Sequence, residues 1–201
     1  MSLPARAEAE AMLCEAGGLN PGPWTAHSAL VAQAAERIAA HLPGLDPEHA
    51  YIVGLLHDIG RRAGVTGMRH VYDGYRYLSD RGYDAAARVA MTHSFAYPDV
   101  AAIFGEWDCT PAELRCIEDY LAGTEFDGYD RLIQLCDSLA MAQGYVLMEK
   151  RMVDVLMRYG PTPLIVPKWR ATFQIRDDIE RALGRSVYSL LPGVVENTFG
   201  F

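Results

Sequence analysis

Hydrophobic residues recur at spacings of three and four along most of this chain, and the alternation typical of strands is rare. The clearest example lies between Trp24 and His41, where one helix face collects apolar side chains. These side chains are Leu30, Val31, Ala34, Ala35 and Ile38. His27 lies four residues before Val31, so it belongs to the same face. The pattern predicts an all-α protein.

Breaker residues divide this pattern into separate helices. The motif GGLNPGP ends the first helix, and Asp46 with Pro47 opens another, because aspartate caps a helix and proline fits its first turn. A connector is predicted over 161–167. The predicted helices cover residues 5–17, 24–41, 47–58, 68–81, 84–94, 99–105, 111–122, 132–140, 146–159 and 168–183.

Two of these helices are apolar on nearly every side and yet contain an acid. Residues 50–56 lead directly into His57 and Asp58, and residues 132–140 surround Asp137. Helices that are apolar all round lie in the centre of a protein. An unpaired carboxylate costs on the order of several kcal/mol there, so each acid needs a hydrogen-bonding partner, a counter-charge or a metal.

Histidines accompany the two acids. His27 lies on an apolar helix face, and His70 and His93 fall between Asp58 and Asp137 along the chain. Imidazole and carboxylate groups are ligands of divalent first-row metals, so a metal centre would satisfy all of these side chains together. A buried hydrogen-bond network is the alternative interpretation. His41 and His49 fit no ligand position and are expected at the surface.

The order His27, then His57-Asp58, then Asp137 resembles the HD superfamily of metal-dependent phosphohydrolases. The pattern His27-Ser28-x-x-Val31-Ala32 and the turn His57-Asp58-Ile59-Gly60 carry this resemblance, which extends over residues 24–145. It implies a helical bundle with a metal site between its central helices. We therefore expect residues 1–201 to form one HD-type domain, in which residues 161–201 are not assigned by the resemblance.

The resemblance also implies the ligands of two metal ions. His27, His57, Asp58 and Asp137 would bind the first ion. Some HD branches hold a second ion, and His70 and His93 stand at the positions of its ligands, with Asp58 bridging the pair. The expected cofactors are divalent ions of Fe, Mn, Ni, Co or Mg.

Arg61 and Arg62 follow the His-Asp pair directly, where a guanidinium could contact a phosphate in a bidentate way. Asp58, Arg61 and Arg62 are accordingly the predicted catalytic residues. The alternative role of the two arginines is to offset the negative end of the preceding helix. The predicted function is hydrolysis of a phosphate ester or phosphoanhydride of a nucleotide or other small metabolite by metal-activated water.

The layout is similar to that of the bacterial HD hydrolases that split diadenosine tetraphosphate, which have a comparable short span between the HD pair and the next histidine. It departs from the nucleotidase branch, because Arg61 stands where that branch has glutamate. It also lacks the extension and Gly-Tyr-Pro signature of cyclic-di-GMP phosphodiesterases. Two other classes stay open, a di-iron HD-type oxygenase and a metal-free regulatory HD module.

Composition limits the partners. The formal net charge is −8 and only two lysines occur, so a broad surface for DNA or RNA is not expected. No apolar run reaches the length of about 18 residues that suggests a membrane span. The cysteines form no C-x-x-C pair and are read as reduced thiols of a cytoplasmic protein. The segment from Pro161 is expected to shape substrate choice or to form a homodimer contact.

Overall fold

The computed structural model describes residues 2–201, and nearly all regular structure in them is helical. Ten α-helices follow one another in that part of the chain, with one two-stranded antiparallel sheet between α7 and α8. The helices are α1 Arg6–Leu19, α2 Trp24–Ala39, α3 Pro47–Leu56, α4 His70–Ser79, α5 Asp84–Thr92, α6 Pro111–Ala122, α7 Gly128–Leu139, α8 Met148–Tyr159, α9 Ile165–Leu183 and α10 Val194–Phe199. The strands are β1 Ala140–Met141 and β2 Gly144–Tyr145, and the 3-10 helices are Ile59–Ala63 and Val187–Leu190. The prediction of an all-α fold is confirmed.

The predicted start of α3 is also confirmed in its details. The Asp46 side chain accepts a hydrogen bond from the His49 backbone N–H at 2.7 Å, and Pro47 occupies the first turn. Small residues then allow α3 to pack closely on α2. A Cβ added to Gly54 would lie 3.0 Å from the Ala32 Cα. This packing places the end of α3 beside the buried face of α2.

The core consists of two clusters of buried side chains. The main cluster is formed largely by α1, α2, α3 and α7 and includes Ile38, Leu56 and Leu135. The second cluster contains residues that flank His70 and His93. Its buried members are Met68, Val71, Met91, Phe95, Ile103, Ile117 and Leu121.

Several local predictions differ from the structure, among them the start of α7, which lies at Gly128 rather than at Leu132. The short helix predicted at 99–105 is wrong, because this segment consists of turns and irregular backbone. Helix α9 begins at Ile165 rather than at Lys168, since Pro167 fits within its first turn. The β1–β2 hairpin was not predicted, because strands of two residues are too short to show an alternating pattern.

The C-terminal helices pack against the rest of the molecule. Helices α8 and α9 contact α7, and α10 contacts β2. Lys150 links α8 to α10 by donating hydrogen bonds to the carbonyl oxygens of Asn197 and Thr198, at 2.9 and 2.8 Å. In residues 2–201, no helix combines the length and the apolar character that crossing a membrane requires.

Candidate metal centre

Asp58 stands at the centre of the polar cluster, immediately after α3 and His57. Two compact groups of possible metal ligands share it, in each of which the ligand atoms lie within 4.8 Å of one another. The first group is His27, His57 and Asp58, and the second group is Asp58, His70 and His93. All five side chains are buried. The structure therefore brings five of the six predicted ligands into two groups joined by one carboxylate.

Three of the histidines are oriented by backbone carbonyl groups. The Nδ1 atoms of His57, His70 and His93 lie 2.7, 2.7 and 3.0 Å from the carbonyl oxygens of residues 54, 67 and 90. A carbonyl oxygen only accepts, so each Nδ1 donates and carries the proton. In the neutral imidazole each Nε2 is then left with a free lone pair, the form in which histidine binds metals.

Several polar atoms of the cluster have no hydrogen-bonding partner although they are buried. They include Nε2 of His57, Oδ1 of Asp58 and Nδ1 of His27. The Nε2 atoms of His70 and His93 face each other at 3.4 Å, and each lies close to Asp58 Oδ1, at 3.2 and 3.6 Å. Unpartnered buried acceptors are costly, and a divalent cation would satisfy these atoms together. The residues present thus fit a metal pair.

Electrostatics keep these ligands in the protonation states that metal binding needs. Burial lowers the pKa of His57 to about 4, and burial with the adjacent Arg61 charge lowers the pKa of His70 to about 3. Burial alone would raise the pKa of Asp58, but Arg61 and the neighbouring histidines hold it well below its usual range. At neutral pH the imidazoles of His57 and His70 are therefore uncharged and the Asp58 carboxylate is ionised.

Asp137, the sixth predicted ligand, lies beside His27 but outside the compact first group. Its Oδ1 is 2.9 Å from His27 Nε2 and 3.6 Å from the Arg151 guanidinium. Burial opposes ionisation of Asp137, yet its hydrogen bond to His27 and the Arg151 charge lower its pKa below the usual range. Asp137 is thus an ionised carboxylate at the edge of the first group.

Gly60 brings the two groups together. A Cβ at this position would lie 2.0 Å from the His70 carbonyl oxygen and 2.5 Å from the Gly74 backbone nitrogen. Both neighbours are backbone atoms that cannot rotate away. The absence of a side chain at Gly60 therefore lets the 3-10 helix after Asp58 approach the start of α4, where His70 lies.

A loop network holds His70. Asp108 accepts hydrogen bonds from the backbone N–H groups of Gly67 and Arg69, at 2.7 and 2.8 Å, and the Gly67 carbonyl orients His70. The Arg69 guanidinium pairs with both carboxylate oxygens of Glu113, at 2.9 and 2.7 Å. Sequence reasoning missed Asp108, because its contacts cross about 40 residues of chain.

A second network holds the segment before His93. Thr92 donates a hydrogen bond to the buried Asp130 carboxylate at 2.6 Å, and Arg88 pairs with the same carboxylate at 2.6 Å. Gln134 donates to the Thr92 carbonyl oxygen at 3.2 Å. These contacts tie the end of α5 to α7. They were also missed, since Asp130 lies two residues before the helix predicted over 132–140 and its partners Arg88 and Thr92 are about 40 residues away along the chain.

The side chains of the two predicted catalytic arginines, Arg61 and Arg62, point in different directions. Arg61 Nε donates to Asp58 Oδ2 at 2.7 Å and stays next to the cluster. The Arg62 guanidinium instead lies 4.3 Å from the centroid of the Tyr77 ring and 3.8 Å from Glu15. Successive residues of a 3-10 helix point in different directions, so only one of the pair can face Asp58.

Two cavities open onto the cluster. The cap cavity, of about 170 Å³, touches His70, His93 and Asp137, and α8 and α9 form its opposite wall. The Trp24 cavity, of about 410 Å³, touches His27 and Asp58. Both are lined by Arg61, Arg151, Arg158 and Tyr159. Trp169 also lines the cap cavity.

The remaining histidines lie elsewhere. His41 is exposed, and His49 is partly buried with its ring stacked on Tyr129. All four cysteines are free thiols, and Cys136 is the buried one.

Comparisons with known proteins agree with this arrangement. The sequence matches the family model of the HD domain over residues 25–142. The fold is similar to that in the crystal structure of the HD domain of the L. monocytogenes phosphodiesterase PgpH, with 16% identity and a TM-score of 0.50. That alignment covers 89% of this chain and 96% of the other. No curated protein matches the sequence.

The matched segment spans more than half of the chain and contains His27, His57, Asp58, His70, His93 and Asp137. The two groups of possible metal ligands and the match to the family model both indicate an HD domain. This protein belongs to the HD domain family.

Proposed function

We propose that the protein is a metal-dependent phosphohydrolase that uses two divalent ions and acts on a small phosphorylated metabolite. The observation that supports this most strongly is the sharing of Asp58 between two groups of buried ligands. A carboxylate placed in this way can bridge two ions. Paired ions are the usual device for hydrolysing phosphate esters.

In this proposal His27 and His57 hold the first ion with Asp58, and Asp137 completes its shell. His70 and His93 hold the second ion. When bound, the two ions supply Lewis acidity toward phosphoryl oxygens and a lowered pKa for water. The protein contributes the fixed directions of the Nε2 atoms of His57, His70 and His93 and the ionised state of both carboxylates.

Arg61 is the residue that we assign to the substrate phosphate. Asp58 holds the guanidinium at 2.7 Å, and Arg61 lines both cavities, so its remaining N–H groups can donate to an anion. Burial opposes the charge, but the Asp58 carboxylate keeps the pKa of Arg61 raised, and the group stays cationic. Such a donor stabilises negative charge that develops on phosphoryl oxygens.

The cavities favour a phosphorylated substrate of small size. Four cationic side chains line the cap cavity, namely Arg61, Arg151, Arg158 and Lys168, together with the aromatic residues Phe104, Tyr159 and Trp169. Positive and aromatic groups around one cavity suit a phosphate attached to an apolar or aromatic moiety. Nucleotides, including the dinucleotide substrates of the diadenosine tetraphosphate branch, meet this description.

The first experiment measures phosphate release from p-nitrophenyl phosphate by the apoprotein loaded separately with Mn, Fe, Co or Ni. We expect activity with at least one metal, no dependence on dissolved oxygen, and loss of activity after chelation. Product formed only in the presence of oxygen would instead support a di-iron oxygenase, which can use the same ligands. A preparation that binds no stoichiometric metal would support a regulatory module.

A further inference from the structure

Helices α8 and α9 lie outside the segment that matches the HD domain model, yet they form one wall of the cap cavity. From this wall Arg151, Arg158, Lys168 and Trp169 face a cavity that also touches His70 and His93. The C-terminal part of the chain thus adds positive charge next to the second ligand group.

The cations that line the cap cavity differ in how they are paired. Arg61 is paired with Asp58 at 2.7 Å. Arg151 lies between Asp137 and Asp154, at 3.6 and 3.4 Å, and Arg158 pairs with Asp154 at 2.9 Å.. Each arginine therefore has an acid partner within the protein.

Lys168 has no such partner. Its Nζ donates one hydrogen bond, to the Ser94 carbonyl oxygen at 3.0 Å, and lies 4.8 Å from the centroid of the Phe104 ring. No carboxylate of residues 2–201 forms a salt bridge with it, and Asp137 is the one acid whose charge acts on it. Burial lowers the pKa of Lys168 to about 8, which reflects a cation without a local counter-charge. An anion in the cavity would offset this cost.

A second hydrogen-bond donor in the wall formed by α8 and α9 has no acceptor. The indole N–H of Trp169, the residue after Lys168, is buried and has no hydrogen-bonding partner. Buried indole N–H groups usually find a partner, so this one is consistent with a bound acceptor. Of these two adjacent residues of α9, Lys168 has one hydrogen bond for its three N–H donors, and Trp169 has none for its indole N–H.

We propose that Lys168 and Trp169 bind a second anionic group of the substrate, a phosphate that is not transferred, while the scissile phosphoryl group lies at the metal ligands. This inference rests on the proposed phosphohydrolase function. The cap cavity, of about 170 Å³, reaches from His70 and His93 to Lys168. The cavity is thus continuous between the second ligand group and Lys168, so one substrate could contact both. The implied substrates are bisphosphates and nucleoside polyphosphates.

The test compares binding of methylphosphonate with binding of alkane diphosphonates that have one to four methylene groups between the phosphonates. Isothermal titration calorimetry on the Mn-loaded protein gives both affinities. We expect at least one diphosphonate to bind on the order of tenfold or more tightly than methylphosphonate, as one added charge-assisted contact allows. Lys168→Met should abolish this preference and leave methylphosphonate binding and metal content unchanged. Lys168→Gln is the second variant, in case the methionine side chain disturbs folding.

The other lysine of the chain provides the matched control. Lys150 has satisfied contacts to α10 and does not line the cap cavity, so Lys150→Met should retain the preference. Equal affinity of the wild type for all ligands would overturn the inference, as would a preference that survives in both Lys168 variants.

Hydrolysis of p-nitrophenyl phosphate by the wild type, measured in parallel, separates this inference from the proposed function. If the wild type hydrolyses the ester but Lys168 has no effect on the preference, the second anion site is refuted and the function stands. If the wild type hydrolyses no ester but prefers a diphosphonate through Lys168, the anion site stands and the function is refuted.

Discussion

The two ligand groups that share Asp58 are built in different ways. The first group takes His27 from within α2 and His57 from the end of α3, two helices that pack directly on each other through Ala32 and Gly54. The second group takes His70 from the start of α4 and His93 from the end of α5. Side-chain networks from distant parts of the chain hold the backbone beside these two histidines.

The two ligand groups should therefore lose their metal affinity through different kinds of substitution. Contacts of the first group are part of the main core, so they are lost only when the fold itself is disturbed. The second group depends on a few polar contacts of Asp108 and Asp130. Substitutions far from the cluster should therefore weaken the second ion selectively, while only Asp58 affects both ions directly.

The largest effect is expected for Asp58→Asn, which preserves the shape of the side chain but removes its charge. Both ligand groups lose their shared anion, so the variant should retain neither ion and no measurable phosphatase activity. Metal analysis by mass spectrometry and the activity assay test this, with circular dichroism to establish folding. A folded Asp58→Asn protein that keeps one full equivalent of metal would show that the two groups do not depend on this carboxylate together.

Gly60→Ala should disturb the close contact between the 3-10 helix after Asp58 and the start of α4, where His70 lies. The added methyl group would overlap the His70 carbonyl oxygen, so we expect a loss of about 1–3 kcal/mol in the free energy of unfolding and weaker binding of the second ion. Urea denaturation measures the stability. Gly18→Ala is the control, since a Cβ there meets nothing within 4 Å and alanine favours the helix, and that variant should be unchanged or slightly more stable.

Asp108→Ala should affect the second group alone. Loss of the hydrogen bonds to Gly67 and Arg69 frees the loop that orients His70, and outer-shell changes of this kind typically cost about 10–100-fold in metal affinity. Metal titration should show one weakened site and one site of wild-type affinity. The exposed Asp119 supplies the control, because Asp119→Ala should leave both affinities unaltered. Equal weakening of both sites would contradict the distinction between the groups.

The smallest effect is expected for Arg62→Ala. This guanidinium lies against Tyr77, and exposed contacts of that kind contribute about 0.5–1 kcal/mol, so stability should fall slightly and turnover should stay near that of the wild type. Arg61→Ala is the matched comparison and should lose most of the activity. Equal losses of turnover in the two variants would show that Arg62 reaches the substrate as well.

The sequence predicted the helical fold and the candidate metal ligands. The ligands of the first group could be recognised because they lie on strongly apolar helices. The burial of Asp58 and the face of α2 that carries His27 follow from local periodicity alone. The contacts of Asp108 and Asp130 do not, since they join segments about 40 residues apart and depend on tertiary packing. The directions of Arg61 and Arg62 depend on the 3-10 turn after Asp58, which the pattern does not specify.

The C-terminal part was the least predictable. Lys168 falls in an amphipathic helix where a lysine ordinarily faces solvent, and only the packing of α9 turns it toward the cap cavity. The helix predicted at 99–105 was wrong for a related reason, since tertiary packing overrides the local pattern there as well. This segment instead contributes Ile103 to the second core cluster and Phe104 to the cavity wall, so its conformation is set by tertiary contacts.

The most direct test of the central claim, that two ions share Asp58, is the metal stoichiometry of the wild type and His93→Ala by native mass spectrometry. His93 belongs to the second group alone. We predict two ions per chain in the wild type and one in His93→Ala, with the retained ion bound as tightly as before. Two ions bound to His93→Ala with full turnover would contradict the account.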